Sequence, residues 1–315
     1  MEEAKELVRN WQSGFLYLGH LGLTELPELP EGLQQLQCSN NQLTRLPDTL
    51  PKSLTELYCS LNHLTRLPDT LPAGLQYLSC SHNQLTTLPD TLPEGLQQLH
   101  CPNNQLTRLP DTLPKSLTEL YCSLNHLTRL PDTLPAGLQY LSCSHNQLTT
   151  LPDTLPEGLT QLICFDNQLT KIPDTLPAGL TYLWCHTNKL TRLPTLPAGL
   201  TSLSCCDNQL LLLPDLPASL TMLFCSNNLL TTLPDTLLPE NLQVFVCNNN
   251  KFPDRREYEE SIPEYVARVK AIAEADSKER IVQRCAVFFE ELARTVWHPS
   301  RVEKLMLAGV DMEEM

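Results

Sequence analysis

The sequence predicts an α/β repeat solenoid in which parallel strands stack turn upon turn. Three observations predict it. A 21-residue period runs through most of the chain on the template LxxLxCxxNxLxxLPxxLPxx, and one unit, Leu75 to Gly95, reads LQYLSCSHNQLTTLPDTLPEG. Cysteines mark the register: Cys38, Cys59, Cys80, Cys101, Cys122, Cys143, Cys164 and Cys185 fall every 21 residues, Cys205 and Cys225 follow after 20 each, and Cys247 after 22. Finally, Asn41–Leu96 and Asn104–Leu159 match letter for letter over 56 residues at an offset of 63, three periods. Such units bury their apolar face only against neighbouring turns, so the length of 315 residues does not imply two globular domains.

The elements follow in order. Residues 1–13 are expected to form an N-terminal helical cap, because EEAKELVRNW places Leu7, Val8 and Trp11 on one helical face. Residues 14–252 hold about twelve turns, the first of them weaker, with Leu16, Leu18, Leu21, Leu23, Leu26 and Pro27 in frame. Within a turn, Leu78 and Cys80 alternate with Tyr77 and Ser79, as a strand with one buried face requires. An asparagine follows each cysteine by three residues: Asn41, Asn62, Asn83, Asn104, Asn125, Asn146, Asn167, Asn188, Asn208, Asn228 and Asn250. Its amide both donates and accepts, so it can satisfy backbone groups that the bend leaves unpaired inside the coil. A ladder of this kind is structural.

The return path, LPDTLPEG, carries two prolines. Proline fixes φ and cannot donate to a ladder, which favours an extended, polyproline-like back and a narrow turn without a helix. Arg45, Arg66, Arg108, Arg129, Lys171 and Arg192 share one rim position, and Asp48, Asp69, Asp90, Asp111, Asp132, Asp153, Asp174, Asp215 and Asp235 another. That pattern reads as a solvated rim of weak ion pairs. Residues 253–315 change composition and are expected to form a C-terminal helical domain, with helices at 262–275 and 276–297 and a third ending near Gly309. Closing the solenoid would bury Phe288, Phe289 and Trp297.

The period and template resemble the leucine-rich repeat family, and the LPxxLP spacer is similar to its short LPX subtype, found in secreted effectors of bacterial pathogens. The resemblance covers about 240 of the 315 residues. It implies a right-handed horseshoe with parallel strands on the concave face. Some LPX effectors add a ubiquitin-ligase domain with a catalytic Cys-x-Asp motif. Here the only tail cysteine, Cys285, stands in CAV, so that activity does not carry over. The tail WHPSRVEKLMLAGVDMEEM resembles C-termini of proteins from giant amoeba-infecting DNA viruses of the marseillevirus group, which implies a viral protein acting inside a host cell.

In such a fold, function is expected on strand residues facing away from the core. That face is rich in Tyr, His and Trp: Tyr58, Tyr77, His100, Tyr121, Tyr140, Phe165, Tyr182, Trp184, His186 and Phe224 are the candidate partner-binding residues. Tyr and Trp are enriched at interface hot spots. The densest group is Tyr182, Trp184, His186 and Phe165; the competing reading is that these rings only pack along the ladder and stiffen it.

Several classes are expected to be absent. The histidines recur as copies of the duplication, no turn offers a unique nucleophile and base, and GxGxxG, Walker A and HExxH motifs are missing, so no catalytic residue is assigned. A single file of cysteines does not converge on a metal, and no cofactor is expected. A formal net charge of −14 without a basic stripe argues against direct nucleic-acid binding. Neither a signal peptide nor a membrane span is visible. Cysteines placed as small core hydrophobes imply a reducing, intracellular compartment, the host cytoplasm or nucleus for a viral protein. The leading expectation is a non-enzymatic module binding a protein partner. The alternatives are a self-associating scaffold, in which the chain forms a homo-oligomer, and a substrate adaptor in a ubiquitin pathway.

Overall fold

A computed structural model describes residues 1–233, 239, 241–252, 264 and 268. The expected C-terminal helices lie outside the described residues, the isolated positions 264 and 268 aside. Chain order is α1 (Glu2–Arg9), then β1 (Gly14–Tyr17), β2 (Leu33–Gln37), β3 (Glu56–Tyr58), β4 (Tyr77–Ser79), β5 (Gln98–His100), β6 (Glu119–Tyr121), β7 (Tyr140–Ser142), β8 (Gln161–Ile163), β9 (Tyr182–Trp184), β10 (Ser202–Ser204), β11 (Met222–Phe224) and β12 (Val244–Val246). The strands form one 12-stranded sheet in strict sequence order, every neighbour parallel. From β2 onward equal template positions are partners, as in Glu56 with Tyr77 and Tyr58 with Ser79. Stacked strands lie about 4.8 Å apart.

Leucine at the first, fourth and eleventh template positions and cysteine at the sixth fill the coil. In one turn Leu75, Leu78, Cys80 and Leu85 are all 0% exposed. Each such leucine contributes about 1.5–3 kcal/mol by leaving water. The prolyl return path carries no helix or strand. Rim cations reach the aspartate of the preceding turn: Arg108 meets Asp90 at 3.2 Å, Arg129 meets Asp111 at 3.3 Å and Arg192 meets Asp174 at 2.8 Å. These exposed pairs contribute about 0–1 kcal/mol each.

The asparagines tie turns together. Asn62 Nδ2 donates to the Cys59 carbonyl of its own turn at 3.1 Å and to the Cys38 carbonyl of the turn before at 3.0 Å. Its Oδ1 accepts from Leu43 N–H, also of the turn before, at 3.0 Å. The same set recurs at Asn125 with Cys122, Cys101 and Leu106.

Just before each asparagine the chain takes a left-handed turn. Asn40, Leu61, His82, Asn103, Leu124, His145, Asp166, Thr187, Asp207, Asn227 and Asn249 have φ between 50° and 56°, and His20, before Leu21 in the first turn, has φ 61°. The template does not announce this, because no glycine occupies the position.

At the N-terminus α1 is shorter than expected and differently seated. Ala4 is buried and Val8 packs on the core, as does Trp11, which lies beyond the helix, whereas Leu7 is 39% exposed. A helix this short turns one narrow face inward, and here that face holds Ala4 and Val8.

Candidate functional site

Strands β3 to β12 are three residues long with a buried centre, so the flanking two side chains stand on the open face. The register places them in rows, and rings four or five ångströms apart pack on one another. Tyr58, Tyr77, His100, Tyr121 and Tyr140 form one column over β3 to β7, with successive centroids 4.7, 5.1, 4.2 and 4.4 Å apart. It zigzags, because Tyr77 and Tyr140 start their strands while Tyr58, His100 and Tyr121 end theirs. Tyr77 Oη and His100 Nδ1 are 3.3 Å apart. All five side chains are half-buried.

Two carboxylates line the column. Tyr58 Oη donates to Glu56 Oε2 at 2.8 Å, and Gln35 Nε2 donates to Glu56 Oε1 at 2.8 Å. Gln98 Nε2 donates to Glu119 Oε1 at 2.9 Å, while His100 Nε2 lies 3.9 Å from Glu119 Oε2, too far for a hydrogen bond. Burial and then Glu56 push the Tyr58 phenol up to about 12. Burial also raises Tyr77, Tyr121 and Tyr140, and Glu119 adds to all three. Burial lowers His100, disfavouring its charged form. Glu56 and Glu119 were not among the candidates read from sequence. The available signal was their position two residues before Tyr58 and Tyr121, on the same face of each strand.

A second group lies toward β9. Phe165 and His186 stack at 4.2 Å and 12°, and His145 meets Phe165 edge-on at 5.0 Å. Tyr182 and Trp184 make an edge contact at 6.2 Å, with Trp184 Nε1 donating to Ser202 Oγ at 3.1 Å. Strand β8 offers Gln161 and Ile163 on this face, so no ring bridges Tyr140 to Tyr182. Phe165 is only 9% exposed and lies under the face as support. Phe224, on β11, has no ring neighbour among the described residues. The sequence therefore located the rings, but the longest continuous surface is Tyr58 to Tyr140, away from the group that looked densest.

Ser204 Oγ lies 3.1 Å from His186 Nδ1, and Asp166 pairs with His145 at 2.5 Å. Burial, with the neighbouring His145, pushes His186 down to about 4. Among the described residues no group of three or more His, Cys, Asp or Glu is placed to hold a metal ion, and no helix is long and apolar enough to cross a membrane. None of the described cysteines is in a disulfide. Cys38 and Cys101 point Sγ at the next turn's carbonyl, 3.3 Å away in each case, and burial raises the Cys38 thiol to about 12.

The Leucine Rich Repeat family profile matches residues 74–94 and 137–157. Among solved structures, YopM from Yersinia enterocolitica WA-314 is 37% identical with a TM-score of 0.65, covering 79% of this chain and 58% of that one. The present chain thus spans rather more than half the length of that relative. YopM from Yersinia pestis, a leucine-rich effector protein, is 32% identical over 81% of this chain and 90% of its own, with a TM-score of 0.50. InlJ from Listeria monocytogenes, whose functional domain includes a cysteine ladder, is 28% identical over 71% of this chain and 60% of its own, with a TM-score of 0.54. No curated protein matches the chain.

Proposed function

The chain belongs to the leucine-rich repeat family, and on that premise we propose that it is a non-enzymatic module whose open strand face holds a partner protein. Leucine-rich repeat folds typically serve as protein-interaction modules. One observation carries the reading: five rings from Tyr58 to Tyr140 make an unbroken half-buried column on the face that stacking leaves open. Rigid aromatic surface with polar tips binds at low entropic cost. The likeness to Yersinia effector proteins supports an effector-like setting in which the partner belongs to a host cell. Free buried thiols support a reducing compartment. The tail's resemblance to giant-virus proteins would make the chain a viral counterpart.

The test is affinity capture from a eukaryotic cell lysate with three baits: the intact chain, a Tyr121→Ala/Tyr140→Ala variant and a Tyr182→Ala/Trp184→Ala variant, each shown to be folded by circular dichroism. A partner held by the intact chain and lost by the first variant supports the column as the binding surface. Loss only with the second moves the site to β9. Retention by both, or recovery of nothing except copies of the chain, refutes the reading; the second result favours the self-associating scaffold.

A further inference from the structure

The strand face is one-signed. No lysine or arginine occupies any segment from Leu33–Asn40 to Leu242–Asn249 on the eleven repeat turns, although the chain holds 22 such residues. The acids there are Glu56, Glu119, Asp166 and Asp207. Asp166 is paired with His145, and Asp207 accepts from Asn227 Nδ2 at 2.7 Å. Glu56 and Glu119 accept hydrogen bonds only from neutral side chains among the contacts seen, so their charges are held in place but not neutralised. Their field reaches the phenols around them, and Tyr77 feels both.

The duplication makes this arrangement twofold. Glu56, Tyr58 and Tyr77 recur as Glu119, Tyr121 and Tyr140, at an offset of 63 residues. Outside the duplicated block, Gln35 and Gln98 hold the two carboxylates in the same way, at 2.8 and 2.9 Å. The two sets start on β3 and β6, three strand spacings apart, which is about 14 Å.

We propose that the two sets are equivalent subsites for arginine side chains of a single extended basic segment of a partner protein, lying across the strands. The proposal rests on the reading of this face as protein-binding and names the chemistry of what it binds. A planar guanidinium fits a carboxylate flanked by phenol oxygens better than an ammonium does, because it donates several hydrogen bonds in one plane. An extended chain advances about 3.3 Å per residue, so 14 Å corresponds to roughly four residues. An even spacing puts both side chains on the same side of an extended strand. A helix covers the distance in about nine residues, which points the two side chains to opposite sides. Burial disfavours a positive charge on His100, which lies between the sets.

The experiment is fluorescence anisotropy with labelled Gly/Ser peptides carrying two arginines four apart, two arginines three apart, one arginine, or two glutamates four apart. The four-apart arginine peptide should bind about tenfold or more tightly than the single-arginine and three-apart peptides. Glu56→Gln or Glu119→Gln should each weaken it about five- to tenfold, and together should abolish the preference over one arginine. The substitutions keep the side-chain shape and one of the two acceptor oxygens, and thermal melts verify the fold. Equal binding by the double Gln variant, equal binding of the glutamate peptide, or no binding of any arginine peptide overturns the proposal. If the peptide survives both Gln changes but is lost with Tyr121→Ala/Tyr140→Ala, the face binds peptides and only the charge argument fails.

Discussion

At the residue scale, the least obvious demand of the fold falls on the position before each asparagine. Eleven non-glycine residues are left-handed there, among them Leu61, Leu124 and Thr187. That backbone region costs a branched or bulky residue about 1–2 kcal/mol, and asparagine or aspartate less, since their short polar side chains bond locally. Leu124 is 39% exposed, so little burial is lost on replacing it. Leu124→Asn and Thr187→Asn should each raise stability by about 0.5–1 kcal/mol, read as a higher urea midpoint at unchanged slope. The asparagine ladder was legible because one residue type recurs at a fixed place. The left-handed residue was not, because Asn, Leu, His, Asp and Thr all fill it and only backbone geometry unites them. The acidic lining was hidden for a related reason: Glu56 and Glu119 read as two unremarkable polar residues until the register set them beside Tyr58 and Tyr121.

At the element scale the unit is a turn, and its strand is only three residues long. Alternation of Leu and Cys with face residues made that strand legible, and the prolines made the helix-free return legible. The ring column was harder to see, because Tyr58 and Tyr77 occupy different template positions and meet diagonally across β3 and β4. Turns interact with neighbours alone, so removing a whole number of them should preserve the fold. Deleting residues 97–159 joins Leu96 to Thr160 in frame and removes one copy of the duplication. The shortened chain should show the same circular dichroism shape with a lower melting temperature. Deleting half a turn from the same place should unfold it, because one strand's core face would then point outward.

At the scale of the whole molecule the thiols report on the integrity of the stack. Eleven cysteines form a buried file from Cys38 to Cys247, and burial raises the thiol pKa along the file from Cys38 to Cys225, to about 12 at Cys80 and Cys143. A thiol without thiolate character and without access does not react. An aromatic disulfide reagent should therefore leave these eleven silent in the native protein and titrate them all in urea; rapid native labelling of several would mean that the stack opens. The hydrogen bonds also give the stack a direction. Each asparagine serves the turn before it, as Asn62 serves Cys38 and Leu43. A turn leaving the ribosome is thus incomplete until the next has been made, and assembly trails synthesis by one repeat. By the same asymmetry the last turn of any truncated chain lacks the asparagine that a following turn would lend it, so unravelling begins at the C-terminal end and runs backward toward the end that α1 covers.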